Sequence, residues 1–232
     1  MLRVMEDEAN ARSAYASIGS SITGDMKARE FAYYLDLQKG SMLEIGCHHG
    51  QEGFLLSYAF PEMDFIGIDI DRNAIDMAKG HTSRNLDFYL ADAHSLPFSD
   101  KTFDYVGLIH TFHHLKQHAI DEILRVTKDD GKIYIQDLVR DVSQETLERI
   151  RHIEGGLLYD SVRAALSREE YNALAEKIGD DMREWNFKET IPPTINWVIR
   201  KKDNWELHDF YWRRKHNDKQ YKIFRAANPY EL

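Results

Sequence analysis

Apolar positions along this chain follow two alternating rhythms. Short, nearly continuous apolar runs cover residues 41–45, 64–69, 86–90, 102–109 and 132–138, and each reads as a buried strand. Between them the spacing turns helical. Phe54, Leu55, Leu56 and Tyr58 share one helix, Ala74, Ile75, Met77 and Ala78 a second, and Ile120, Ile123, Leu124 and Val126 a third. A weakly amphipathic stretch over 5–18 precedes a helix expected to start at a cap on Asp25 and to run through Phe31, Tyr34 and Leu35 to Leu37. Gly40, Pro61, Gly80 and the turn Asp129-Asp130-Gly131 punctuate the series. Strands alternating with helices predict a parallel sheet with crossover helices on both faces.

From Val142 the rhythm becomes helical. Helices are expected over 145–153, 157–166 and 168–178, with Ser167 as a cap and Gly179 as a stop. Residues 184–190 and 196–200 read as two strands joined across Pro192-Pro193, an antiparallel finish to the sheet. The expected fold is therefore α/β, a doubly wound, mostly parallel seven-stranded sheet. Its domain spans 1–202 with a helical insert at about 142–180. An extension over 203–232 interleaves aromatics (Trp205, Phe210, Tyr211, Trp212, Tyr221, Phe224) with bases (Arg213, Arg214, Lys215, Lys219, Lys222, Arg225).

Composition narrows the class. An apolar share of 43% and a charged share of 30% over 232 residues suit a soluble globular protein able to bury a core. A net charge of −9 argues against a general nucleic-acid binder. An aromatic-basic tail is able to stack RNA bases. The acidic bulk instead favours a lid over a substrate, or an arm joining two copies in a homodimer. No run reaches the length of a membrane span, and residues 1–20 lack the apolar core of a secretory leader. The single Cys47 excludes an internal disulfide framework and fits a reducing cytoplasm.

Ligands of parallel sheets bind beyond the carboxyl ends of the strands. The informative residues are therefore Gly46 to Gly50, Asp69, Asp92-Ala93 and His110 to His114. A strand feeding a helix through a short glycine turn aims N–H groups and a positive helix end at an anion. This turn lacks the dinucleotide fingerprint, which needs glycines at His48 and Gln51. It also lacks the Walker loop, which needs Gly-Lys at Gln51 and Glu52.

Four motifs occur in order over roughly residues 30–140. They are Leu43-Glu44-Ile45-Gly46-Cys47-His48-His49-Gly50, then Gly67-Ile68-Asp69-Ile70, then Ala91-Asp92-Ala93 with Leu96-Pro97-Phe98, and Phe103-Asp104-Tyr105-Val106 leading to His113-His114-Leu115. As a set they resemble the class I S-adenosylmethionine-dependent methyltransferases. The helical stretch 159–166 also resembles, less specifically, an insert of small-molecule members. The resemblance implies S-adenosylmethionine as cofactor. Gly46 and Gly50 would let the backbone approach its carboxylate, and Glu44 would neighbour its ammonium. Asp69 would take the ribose hydroxyls, Ile70 the adenine face, and Asp92 with the Ala93 N–H the adenine edge. Cys47, His48, Ile109 and His110 complete the implied surround, and Tyr15 would close over the methionine end. For Asp69 and Asp92 the competing reading is local capping, and for Tyr15 it is packing.

The family usually has glycine at the position of His48. That departure keeps a non-catalytic binding or scaffold protein among the readings. In this fold the first and fourth strands are neighbours, so His48, His49, His110, His113, His114 and His118 would approach one cleft. His110, His114 and His118, spaced by four, would share a helix face and offer three imidazoles to a metal. The competing reading is a His-His-Leu without metal, with His113 or His114 as general base. The expected reaction is methyl transfer to O, N, S or C of a small-molecule acceptor. An RNA or protein acceptor and a metal-assisted enzyme on the same fold are the alternatives.

Overall fold

The computed structural model describes residues 22–154, 156–178 and 194–200. Tyr15, the stretch 5–18, the strand expected over 184–190 and the extension over 203–232 lie outside them. The described residues form six strands in the order β3-β2-β1-β4-β5-β6: β1 (Gly40–Ile45), β2 (Met63–Asp69), β3 (Leu86–Leu90), β4 (Phe103–Ile109), β5 (Thr127–Leu138) and β6 (Thr194–Arg200). The sheet is mostly parallel, as expected, with six strands rather than seven among these residues. The chain divides into two compact units, one closing at Asp92 and the other opening at Ala93.

In the first unit β1 pairs with β2 and β2 with β3, all parallel. Helix α1 (Ile22–Leu35) buries Ala28, Phe31, Ala32 and Leu35, three to four residues apart, which is the stripe that docks a helix. It starts before Asp25, so that residue is inside the helix and is not its cap. Helices α2 (Gln51–Ala59) and α3 (Arg72–Ala78) follow β1 and β2. Asp71 caps α3 by accepting from the Asn73 N–H at 2.8 Å.

In the second unit β4 runs parallel to β5, and β6 returns antiparallel along β5. The short helix α4 (Phe112–Leu115) and helix α5 (Ile120–Val126) lie between β4 and β5. The turn expected at Asp129-Asp130-Gly131 is instead an excursion inside β5. The register jumps from Phe103↔Thr127 to Tyr105↔Lys132, and the extra residues are extruded. A Cβ on Gly131 would stand 2.6 Å from Thr127 Cγ2, so glycine is what lets the excursion close.

Helices α6 (Gln144–Glu154), α7 (Gly156–Ala164) and α8 (Arg168–Ile178) form the expected insert, with α7 ending two residues early. Leu138, Ile150, Val162 and Ala165 are its shared core. Ser167 begins α8 as expected. Its Oγ accepts from the Glu170 N–H, and its own N–H donates to the Glu170 carboxylate at 2.7 Å.

Candidate functional site

The exit of β1 is built from three left-handed residues in five positions: Gly46 (φ 77°), His48 (φ 47°) and Gly50 (φ 78°). The Gly46 and Cys47 N–H groups donate to Ile68 O at 2.8 and 3.0 Å, and the Gly50 N–H closes the turn on Cys47 O at 2.8 Å. Beneath it the Phe88 ring fills the space that a side chain on Gly50 or Gly67 would need. His48 adopts a glycine-like conformation, a region His tolerates better than most residues. Its side chain is exposed and its ring lies 3.7 Å, centroid to centroid, from that of His49. Burial, and then the neighbouring His48, hold the His49 imidazole below the ordinary range.

Asp69 stands at the exit of β2, and both its oxygens are engaged by backbone. The His48 N–H donates to Oδ2 and the Asp71 N–H to Oδ1, each at 2.9 Å. Asp69 thus ties the β1 loop to the start of α3. The Ala91 N–H donates to Asp69 O, which brings Asp92 to the same end of the neighbouring strand. Ile70 beside it is 72% exposed, a large apolar surface left in water at a strand exit.

Glu44 is buried at the first turn of α2 and accepts from the Gly53 N–H. Burial, with Glu52 second, pushes its carboxyl well above the usual range. Its Oε2 has no hydrogen-bond partner among the described residues.

The second unit holds a buried pair. His113 Nδ1 donates to Asp137 Oδ1 at 2.7 Å, and the residues are 3% and 0% exposed. The His113 N–H donates to Oδ2 of the same carboxylate, and the Leu138 N–H gives Oδ1 a further bond at 2.7 Å. A carboxylate on Nδ1 fixes the tautomer and leaves the lone pair on Nε2. That Nε2 is buried and meets no partner among the described residues. The His114 ring lies 3.9 Å from that of His113 but is exposed, and burial lowers its basicity.

His110 precedes α4 in a left-handed conformation, φ 53°, with its N–H on Gln136 O. Buried Ile109 ends β4 just before it. Because α4 starts at Phe112 and gives way to a 3-10 turn at Lys116, His110, His114 and His118 do not share a helix face. Among the described residues no group of three or more His, Cys, Asp or Glu side chains is placed to hold a metal ion. No described helix is long and apolar enough to cross a membrane.

Residues 43–135 match the family model described as "Methyltransferase domain". That span runs from β1 into β5 and contains every strand exit just described. Over residues 43–135 the chain is similar to methyltransferase domains, in line with its resemblance to the class I S-adenosylmethionine-dependent family. Among similar proteins is 27-O-demethylrifamycin SV methyltransferase of Amycolatopsis mediterranei, 29% identical over 157 residues, covering 62% of this chain and 56% of that one. Another is O-methyltransferase cnsE of Penicillium expansum, 28% identical over 130 residues, 53% of this chain and 47% of that one. The chain thus spans about half the length of these relatives. The plantazolicin methyltransferase BpumL, solved with SAH, shares the fold at a TM-score of 0.62 and 19% identity, covering 86% of this chain and 98% of that one.

Sequence reasoning missed Asp137. Its signal was an acid inside the apolar run 133–138, on the strand that follows the His-His pair. It also missed Glu122 and Arg125, which lie between the apolar positions of a helix.

Proposed function

We propose that this chain transfers a methyl group from S-adenosylmethionine to a hydroxyl oxygen of a small molecule, with His113 as general base and Asp137 as the group that orients it. The observation carrying this reading is the buried Asp137–His113 pair, whose Nε2 has no partner among the described residues. The exit of β1 suits the cofactor. Its left-handed glycines, Gly46 and Gly50, carry no side chain to hold a ligand off the backbone, and Asp69 is held there as a fixed acceptor. Asp69 would accept from the ribose hydroxyls, Ile70 would cover the adenine face, and Asp92 with the Ala93 N–H would meet its edge. The Gly46 backbone and the start of α2 would face the methionine carboxylate. When bound, the cofactor supplies a methyl on a sulfonium, already activated for displacement. His113 Nε2 would take the acceptor's hydroxyl proton, and the Asp137 carboxylate would stabilise the resulting imidazolium. The names of the two relatives, both of which specify O-methylation chemistry, support oxygen as the acceptor atom.

The test is incubation with S-adenosylmethionine and a panel of phenols and polyketide alcohols, with mass detection of methylated product and of S-adenosylhomocysteine. Turnover is expected for at least one hydroxylated acceptor. His113→Ala should bind S-adenosylhomocysteine as the wild type does while turning over about a thousandfold more slowly. Full activity of that variant would remove His113 from the reaction.

A further inference from the structure

The segment Ala93–Asp100 begins with the Ala93 N–H that would meet the adenine edge, yet it contains no regular secondary structure. Such a loop needs partners for its backbone groups. Two side chains of α5 supply them. Arg125 Nη1 donates to Phe98 O at 2.7 Å and to Asp100 Oδ1 at 2.9 Å, and its Nη2 donates to Leu96 O at 3.1 Å. Glu122 holds the same guanidinium through both carboxylate oxygens, at 2.6 Å from Nε and 2.7 Å from Nη2. It also accepts from the Leu96 N–H at 2.8 Å. Leu96 is therefore pinned at both its N–H and its carbonyl. Further along, Lys101 and Thr102 donate to the carbonyls of Arg125 and Val126, both at 2.8 Å. The Phe98 ring meets Phe103 edge-on at 5.0 Å.

We propose that Glu122 and Arg125 are positioning residues for the cofactor's adenine end, acting through the Ala93–Asp100 loop. This rests on the methyl-transfer reading above. The geometry requires a guanidinium. One planar fork reaches two carbonyls, one aspartate and one glutamate at once, which the compact ammonium of lysine cannot do. The Glu122 carboxylate fixes the plane of that fork and adds its own bond to the loop. Leu96 lies three residues after Ala93, so slack at Leu96 becomes misplacement of the Ala93 N–H. Misplacement of a binding group by about an ångström is costly even when its cause lies far from the reaction.

The experiment compares the wild type, Arg125→Lys, Glu122→Gln and Asp69→Ala by calorimetry, using S-adenosylhomocysteine and the fragment 5′-methylthioadenosine. Steady-state kinetics follow with the cofactor varied and the acceptor saturating. Both clamp variants should weaken both ligands by the same factor, about tenfold. Because the fragment keeps the adenosine and lacks the amino acid, equal loss assigns the effect to the adenosine end. The KM for cofactor should rise with kcat within about twofold, a split that general destabilisation would not produce. A folded Arg125→Lys with wild-type affinity for both ligands would overturn the clamp while leaving the methyl-transfer reading in place. Glu122→Gln, which keeps an acceptor for Leu96, serves if Arg125→Lys does not fold. Wild-type protein that binds neither ligand would overturn both proposals together.

Discussion

Phe88 stands directly in the space that a side chain on Gly50 would occupy. An ideal Cβ there would lie 2.4 Å from Phe88 Cζ and 2.6 Å from Cε1. Gly50 is also at φ 78° and forms the N-cap of α2. Conformation and space therefore demand glycine independently. Gly50→Ala should cost about 2–4 kcal/mol of stability by denaturant unfolding, combining overpacking with left-handed strain. In a Phe88→Leu background the same change should cost less, because only the backbone component persists. Equal costs in the two backgrounds would remove Phe88 from the account.

Asp137→Asn keeps the shape of the buried pair and removes its charge. The amide is able to donate to Nδ1 and so to select the tautomer with a proton on Nε2. Turnover should fall by about a hundredfold or more, with binding of S-adenosylhomocysteine unchanged. Single-turnover rates and calorimetry on the same sample check this. A variant as fast as wild type would leave Asp137 a purely structural role.

Glu44 sets a stability slope with pH. Its carboxyl is raised well above the ordinary 4.5, chiefly by burial, so the folded state holds a proton that the unfolded chain has released. The stabilisation is fully present below about pH 4.5 and is lost as pH rises toward the folded-state value. The slope contributed by this one group approaches about 1.4 kcal/mol per pH unit in that window. Urea unfolding of the wild type and Glu44→Gln from pH 5 to 8 should show a decline with pH that is shallower in the variant. The side-chain amide of that variant still offers an acceptor to the Gly53 N–H. Parallel curves would assign the proton elsewhere.

His48 occupies a conformation that costs L-residues about 1–2 kcal/mol. Its link to Asp69 is made by its backbone N–H and survives any substitution except proline. His48→Gly should therefore change stability by less than about 1 kcal/mol, relief of strain offsetting the added freedom of the unfolded chain. His48→Val should lose about 1 kcal/mol or more. Thermal melts of the two variants check the order, and a valine variant as stable as the glycine variant would contradict it.

The alternating strands and helices were legible because each buried strand is a short apolar run and each crossover helix keeps one apolar face. Asp69 and Asp92 were legible because an acid at the end of such a run sits at a strand exit. Asp137 was not, since it lies in the wholly buried stretch 133–138 of β5, and its pairing with His113 comes from a residue 24 positions away. The excursion in β5 was hidden for a related reason. Asp129-Asp130-Gly131 has turn chemistry, and nothing local says that the strand resumes pairing on both sides of it. Glu44 was half legible: its place in the glycine motif implies a ligand role, while its burial against the Gly53 N–H of α2 had no local signal.

Cys47, the chain's only cysteine, lies in the β1 exit loop with its thiol 1% exposed and, through burial, held far from ionisation. An alkylating reagent reaches it only when the loop lifts away from β2. The molecule therefore carries its own reporter: the rate of thiol capture measures how often the loop opens, and any ligand seated there should slow that clock in proportion to its occupancy.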